Sequence, residues 1–253
     1  IAPGRKADIV IFSDLHNIQA EMVFHEGVLV AQAGKVVQMK PQQRDIDLRA
    51  SMNVRRGEFD FNIVAKSERI RVIEGFADQV VTGHRVETAK IVDGYAVSDP
   101  DRDILKMAVI ERHQASGNIG KGFIGGFGLK HGAIAGTVAH DHHNLIVIGA
   151  DDASMARAAQ VVIEMGGGLA AVDGDQVVAV LALPVGGLMT EQPIADVRRE
   201  YDRLIAAAQD MGSTMFDPFM AMSFMALEVI PKLKLTDVGL VDVEKFQLVD
   251  LFA

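Results

Sequence analysis

The sequence predicts an α+β fold, in which a small all-β segment leads into a mixed α/β domain. Three observations point to it. The first fifty residues hold only short apolar runs of strand length, broken by turn-forming Pro and Gly. A charged stretch with few apolar runs follows. Beyond Ile70, strand-length apolar runs alternate with stretches of helical period.

The elements follow in order. Residues 9–12 are a continuous apolar run behind the Pro3-Gly4 turn, as a buried strand requires. Residues 28–31 and 35–37 flank Gly34 and predict a hairpin. Residues 40–69 interleave Arg44, Asp45, Asp47, Arg49, Arg55, Arg56, Glu58 and Asp60, which reads as a solvated linker or surface arm. Strands are predicted at 69–73 and 78–81, while 103–113 reads equally as a helix or as a strand around 107–110. Residues 145–149 are a buried strand. Asp151 and Asp152 then cap a helix running to about 165, with Met155, Ala158, Ala159 and Val162 on one face, and Gly166-Gly167-Gly168 ends it. A hairpin is predicted from 169–172 and 176–183 around Asp173-Gly174. Ile194, Val197, Tyr201, Leu204, Ala208 and Met211 recur at helical spacing, and Pro218 begins a shorter helix.

Composition narrows the function classes. Lys plus Arg total 25 against 34 Asp plus Glu, a net charge of −9, which argues against a nucleic-acid backbone as partner. At 49% hydrophobic and 23% charged residues the chain is not globally disordered. No apolar run approaches the roughly 20 residues that span a bilayer. No basic segment followed by an apolar run marks a signal peptide, so no membrane partner is expected. The absence of cysteine rules out disulfides and thiolate metal sites and fits a reducing, cytoplasmic setting. The opening Ile1-Ala2-Pro3-Gly4-Arg5-Lys6-Ala7-Asp8 lacks an initiator Met and reads as the interior of a longer protein.

Two stretches carry candidate chemistry. Gly120-Lys121-Gly122-Phe123-Ile124-Gly125 spells the dinucleotide motif G-x-G-x-x-G, but polar residues precede it and Gly126, Gly128, Gly132 and Gly136 would weaken a following helix. It reads better as a close-approach loop against a ligand, chain or domain. The sharper cluster is Ala139-His140-Asp141-His142-His143-Asn144. If extended, it places His140 and His142 on one face and Asp141 and His143 on the other. Three readings compete: a metal site, a set of donors and acceptors for a polar ligand with Asp141 fixing a His tautomer, and a capped turn with exposed imidazoles. Downstream, Met211, Met215, Met220, Met222 and Met225 interleave with Phe216, Phe219 and Phe224, as core filling or an interface would require. No G-x-S-x-G, H-E-x-x-H or P-loop motif is present.

A family resemblance joins these stretches. Residues 1–12 resemble the segment that follows the catalytic barrel in the amidohydrolase superfamily. Residues 126–135 and 139–144, Gly166-Gly167-Gly168-Leu169 and the Leu183-Pro184-Val185-Gly186-Gly187-Leu188-Met189 run resemble the C-terminal domain of the bacterial adenine deaminase family. The resemblance implies that residues 1–50 are the C-terminal part of a small β-sandwich, 51–69 a connector, and 70–253 the family's C-terminal α/β domain. The family's (β/α)₈ barrel would precede Ile1. It implies hydrolysis of adenine to hypoxanthine and ammonia in purine salvage. The hydroxide would be activated by divalent manganese or iron held in the barrel, with no metal bound by this chain and none on His140-Asp141-His142. Adenine, the upstream barrel and further copies of the chain are the implied partners, and the fragment alone would be inactive. The family pattern A-H-D-x-H-N singles out His140, Asp141, His143 and Asn144, with Gly126 and Gly128, as active-site-facing or docking residues, and leaves His142 at the variable position. Another amidohydrolase of cyclic amides or amidines, or a non-catalytic assembly or covering domain, is the alternative.

Overall fold

The computed structural model describes residues 2–37, 51–55, 57 and 59–253. They fall in two compact units, within residues 1–47 and 48–253. Of the predicted charged arm, Arg44, Asp45, Asp47, Arg49, Arg56 and Glu58 lie outside the described residues.

The first unit is a four-stranded antiparallel sheet whose strands lie in chain order: β1 (Ile9–Ile11), β2 (Met22–His25), β3 (Val28–Gln32) and β4 (Lys35–Val36). The expected strand and hairpin are both present, but the strand is not buried: Val10 is 51% and Ile11 40% exposed, because among the described residues of this unit nothing covers them. Gly34 takes φ +75°, which lets the two-residue turn between β3 and β4 close without a Cβ clash.

The second unit is built on β5 (Arg69–Glu74), β6 (Gly83–Thr88), the hairpin β7 (Lys90–Val92) and β8 (Tyr95–Val97), β9 (Leu105–Ile110), β10 (Ile119–Gly125), β11 (Ala133–Gly136) and β12 (Leu145–Gly149). Helix α1 (Asp152–Glu164), β13 (Gly168–Asp173), β14 (Gln176–Ala182), α2 (Ile194–Asp210), α3 (Pro218–Ser223), β15 (Leu233–Thr236), β16 (Gly239–Asp242) and β17 (Gln247–Val249) follow. Eight strands form one sheet in the order β14-β13-β11-β12-β9-β10-β5-β6, antiparallel throughout except where β10 runs alongside β5. The chain is thus a mixed α/β protein of many strands and few helices.

Strand alternation assigns the core. Met107, Val109, Ile146 and Ile148 join Leu204, Met211, Phe219 and Met222 of the α2/α3 side. Ala108, Ile110, Leu145 and Val147 join Met155, Ala158 and Val162 of α1. Both faces are covered, which is why residues 105–110 and 145–149 are buried without interruption. Each of these side chains larger than alanine contributes roughly 1.5–3 kcal/mol on burial. The Asp151 carboxylate caps α1 by accepting from the Ser154 N–H at 2.8 Å, and Asp217 caps α3 through the Met220 N–H at 2.9 Å.

Three further sequence expectations need correction and one open choice is settled. Residues 78–81 are loop, and the strand beside β5 is β6, whose alternating exposure hides it from an apolar-run search. Residues 105–110 are strand, which settles the helix-or-strand ambiguity, because β12 and β10 flank them on both sides. The connector is not solvated throughout: Phe61 and Ile63 are buried, and Lys106 Nζ donates to the Phe61 carbonyl at 3.0 Å. The glycine-rich motif is strand β10 and not a loop. Its close approach is real, since a Cβ on Gly120 would overlap the Thr236 carbonyl oxygen, and one on Gly122 would press on Leu235.

Candidate functional site

Residues 139–144 connect β11 to β12. They form a turn rather than an extended strand, closed by the His143 N–H donating to the Ala139 carbonyl at 2.7 Å. The two-face arrangement of an extended segment therefore does not apply. His143 sits at φ +51°, an uncommon backbone for a residue with a Cβ. The turn lies where β9 ends, because Leu145 pairs with Ile110.

Each imidazole has a different anchor. The His140 N–H donates to the Ser223 carbonyl at 2.9 Å, and its ring stacks on Phe224 with centroids 4.7 Å apart. His142 Nε2 lies 2.9 Å from the Ala226 carbonyl and must donate, and Nδ1 accepts from the Asn144 N–H at 3.3 Å. Those contacts fix the His142 tautomer, and among the described residues no hydrogen bond joins Asp141 to an imidazole. The reading in which Asp141 sets a tautomer is thereby corrected: its side chain is exposed. His142 is the ring of the turn with both nitrogens hydrogen-bonded. His143 is half-buried; burial, then His140, then Arg112, hold its imidazole below the ordinary histidine range, so it is neutral near pH 7. Asn144 is buried, with Nδ2 on Asp237 Oδ1 at 3.3 Å.

Arg112 and His113 support the turn directly, and Glu111 holds the 113–116 segment behind them, none of the three singled out from the sequence. Arg112, 1% exposed, donates from Nε to the His143 carbonyl at 2.5 Å. His113 Nε2 donates to the His142 carbonyl at 2.6 Å. Burial raises the Glu111 pKa, but the N–H groups of Ser116, Gln114 and His113 and the Ser116 hydroxyl outweigh it and bring the carboxyl to about 2. The available signal was position: Arg112 continues the alternation of β9 from Lys106, Ala108 and Ile110.

Gly126 and Gly128 lie elsewhere. Their N–H groups donate to the two oxygens of Asp103, at 2.6 and 2.8 Å, beyond the C-terminal end of β10. Ile124 pairs with Leu105, so these glycines lie at the end of β9 opposite the His turn, roughly 17 Å of strand away. The structure brings together His140, His143 and Asn144 and does not bring Gly126 or Gly128 to them.

The donor set does not suit a metal. Among the described residues no group of three or more His, Asp or Glu is placed to hold an ion, and both His142 nitrogens are engaged. What the turn offers is a neutral imidazole at His143 and an exposed carboxylate at Asp141, able to hydrogen-bond a polar partner or relay a proton.

Comparison with known proteins adds independent findings. The family model for the adenine deaminase C-terminal domain matches residues 79–247. The adenine deaminase of Desulfatibacillum aliphaticivorans is 48% identical over 254 residues, covering 100% of this chain and 44% of its own length. That of Methanothrix thermoacetophila is 44% identical with the same coverage, and adenine deaminase 2 of Carboxydothermus hydrogenoformans is 42% identical over 98% of the chain. The chain spans about 44% of the length of these curated relatives.

Proposed function

The chain belongs to the adenine deaminase C-terminal domain family, and from that premise we propose that it is the C-terminal part of an enzyme that hydrolyses adenine, with water, to hypoxanthine and ammonia. One observation carries the reading: 48% identity to an adenine deaminase extends over the whole chain, including the first unit, which the family model does not reach. In this reading residues 1–50 complete a β-sandwich, 51–69 connect, and 70–253 form the family domain. The divalent metal implied by the family would supply hydroxide near neutral pH when bound outside this chain. No described residue is assigned to it.

The chain's own contribution is the turn. His140, Asp141, His143 and Asn144 face the active site or the docked barrel, with Gly126 and Gly128 serving a separate contact through Asp103. The neutral His143 can hydrogen-bond a heterocyclic nitrogen or take up a proton, and Asp141 can accept from an amino group. A cytoplasmic homo-oligomer is the expected setting. Among the described residues no helix is long and apolar enough to cross a membrane.

A second role, in assembly or in covering the site, is favoured by an apolar cavity of about 440 Å³ between α2, α3 and the β13/β14 hairpin. Ile194, 82% exposed, and Met220, 50% exposed, stand at it.

Substrate choice tests the reading. The longer protein carrying this chain should release hypoxanthine from adenine and leave hydantoin, a cyclic amide, untouched. Hydrolysis of the cyclic amide instead would replace the adenine reading with that of another amidohydrolase.

A further inference from the structure

Arg112 lies two residues beyond the last residue of β9, and its whole guanidinium is engaged within the second unit. Nε donates to the His143 carbonyl at 2.5 Å, Nη1 to the Ser51 carbonyl at 2.9 Å with Met52 Sδ at 3.7 Å, and Nη2 to the Gly186 carbonyl at 3.0 Å. Among the described residues these partners are main-chain oxygens and a thioether, with no carboxylate. A buried cation without an anion costs free energy that a neutral donor would avoid. The three stretches it joins are far apart in sequence: the connector, the His turn and the Gly186-Gly187 turn. Gly187 makes room for it, since a Cβ there would stand 2.8 Å from Nη1 and 2.9 Å from Cζ.

Around His143 this grip decides the geometry. Among the described residues the ring's Nδ1 has no hydrogen-bond partner, so no hydrogen bond at that nitrogen orients the ring, which meets His140 edge-on with centroids 6.0 Å apart. The backbone orients it, held between the Ala139 carbonyl on one side and Arg112 on the other. We propose that Arg112 is a positioning residue, which through the His143 carbonyl sets the orientation in which His143 and Asp141 are presented to the substrate-bearing part of the enzyme. The inference rests on the reading of this turn as facing the active site.

Electrostatics supplies a readout separate from stability. The titratable and charged groups around the His143 ring are His140, His142 and Asp141 of its own turn and Arg112. The other packed segments add His113 on the His142 carbonyl, Glu228 beside the His142 ring and Asp237 on Asn144, all unchanged in the variants below, together with the non-ionisable Ser51, Met52, Gly186, Gly187, Ser223 and Phe224. Arg112 lowers the affinity of His143 for a proton, so removing the guanidinium raises it while the burial remains.

The experiment has two arms. In the 253-residue chain, the His143 ring proton is titrated by NMR in wild type, Arg112→Met, Arg112→Lys and Arg112→Gln. In the longer enzyme, kcat and KM for adenine are measured against pH for the same set. Arg112→Met should raise the His143 midpoint, move the acidic limb of kcat to higher pH and lower kcat by about 100-fold, the scale of a 1 Å misplacement, with KM changed far less. Arg112→Lys should recover part of the kcat and return the midpoint. If Arg112→Met does not fold, Arg112→Gln, which removes the charge but keeps a donor, should shift the midpoint in the same direction. An unchanged His143 midpoint in a folded variant, or wild-type kcat in Arg112→Met, overturns the proposal. Wild-type enzyme that fails to turn over adenine overturns the functional reading instead, and the titration still decides whether Arg112 governs His143.

Discussion

The Lys234 ammonium, fully buried, donates to the Phe224 carbonyl at 2.9 Å, and the Phe224 ring stacks on His140. Its other acceptor is the Val80 carbonyl at 3.0 Å. One buried cation thus ties the 78–82 loop to the end of α3, directly behind the His turn. Arg112 grips the same turn from the β9 side. One cation bonds the turn directly, and the other holds the residue whose ring stacks on it.

Burial lowers the Lys234 pKa to about 8. A lysine whose folded value lies below its unfolded one, near 10.4, binds fewer protons folded than unfolded between the two. Stability therefore rises with pH across that window. The melting temperature of the wild type relative to Lys234→Met should increase by about 2–6 °C between pH 7.5 and 9.5. A difference that stays constant over this range would show that the lysine is not held at its depressed value.

Glu111 has the opposite dependence. Its carboxylate accepts from the His113, Gln114 and Ser116 N–H groups and the Ser116 hydroxyl. With its folded pKa at about 2, its contribution is complete above the unfolded value near 4.3 and is lost as pH falls toward 2. Glu111→Gln should cost about 2–3 kcal/mol at pH 7, and the gap from wild type should close between pH 4.5 and 2. Chemical denaturation at pH 7, 4 and 2.5 checks this.

Much of the fold is legible where burial is uniform or amphipathic. Residues 145–149 and the 3–4 spacing of α2 announce themselves, as does Asp151 at the start of α1. β6 escapes because alternate residues are half-exposed, and β10 because its glycines are chosen by neighbours such as Thr236 that no local pattern reveals. The β15–β17 sheet is built from strands of only three or four residues. At the site, the His turn is conspicuous in the sequence and its supports are not. Lys106 and Arg112 look like surface charges until the period of two is followed through Ala108 and Ile110, whereas Leu233-Lys234-Leu235 puts Lys234 on the face opposite the leucines and gives no sign of its burial.

Asp141 and His142 should separate activity from stability. Asp141 is exposed, whereas His142 ties the turn to Ala226. In the longer enzyme Asp141→Asn should lower kcat/KM more than His142→Ser, while His142→Ser should lower the melting temperature more. Near-wild-type kcat/KM for both would return the cluster to a plain turn, and loss of metal from Asp141→Asn would restore the metal reading.

The Met/Phe cluster divides by burial. Met215, Phe219, Met222 and Met225 are each 3% exposed or less, inside their own unit, while Phe216 is 79% exposed. Phe219→Asp should cost about 3–5 kcal/mol or more and leave particle size unchanged. Phe216→Asp should stay within about 0.5 kcal/mol of wild type. Thermal melting and size exclusion on both variants decide it, and a Phe219→Asp protein of unchanged stability would show that this core is misassigned.

The central claim is that this chain is one part of an adenine deaminase whose hydrolytic site is completed outside it. Ammonia release from adenine should be measured for the 253-residue chain and for the longer protein containing it, at equal molar concentration and with manganese or iron supplied. The account predicts catalytic release by the longer protein and none above blank by the chain alone. Turnover by the isolated chain that survives repurification, or no turnover by the longer protein, would contradict it.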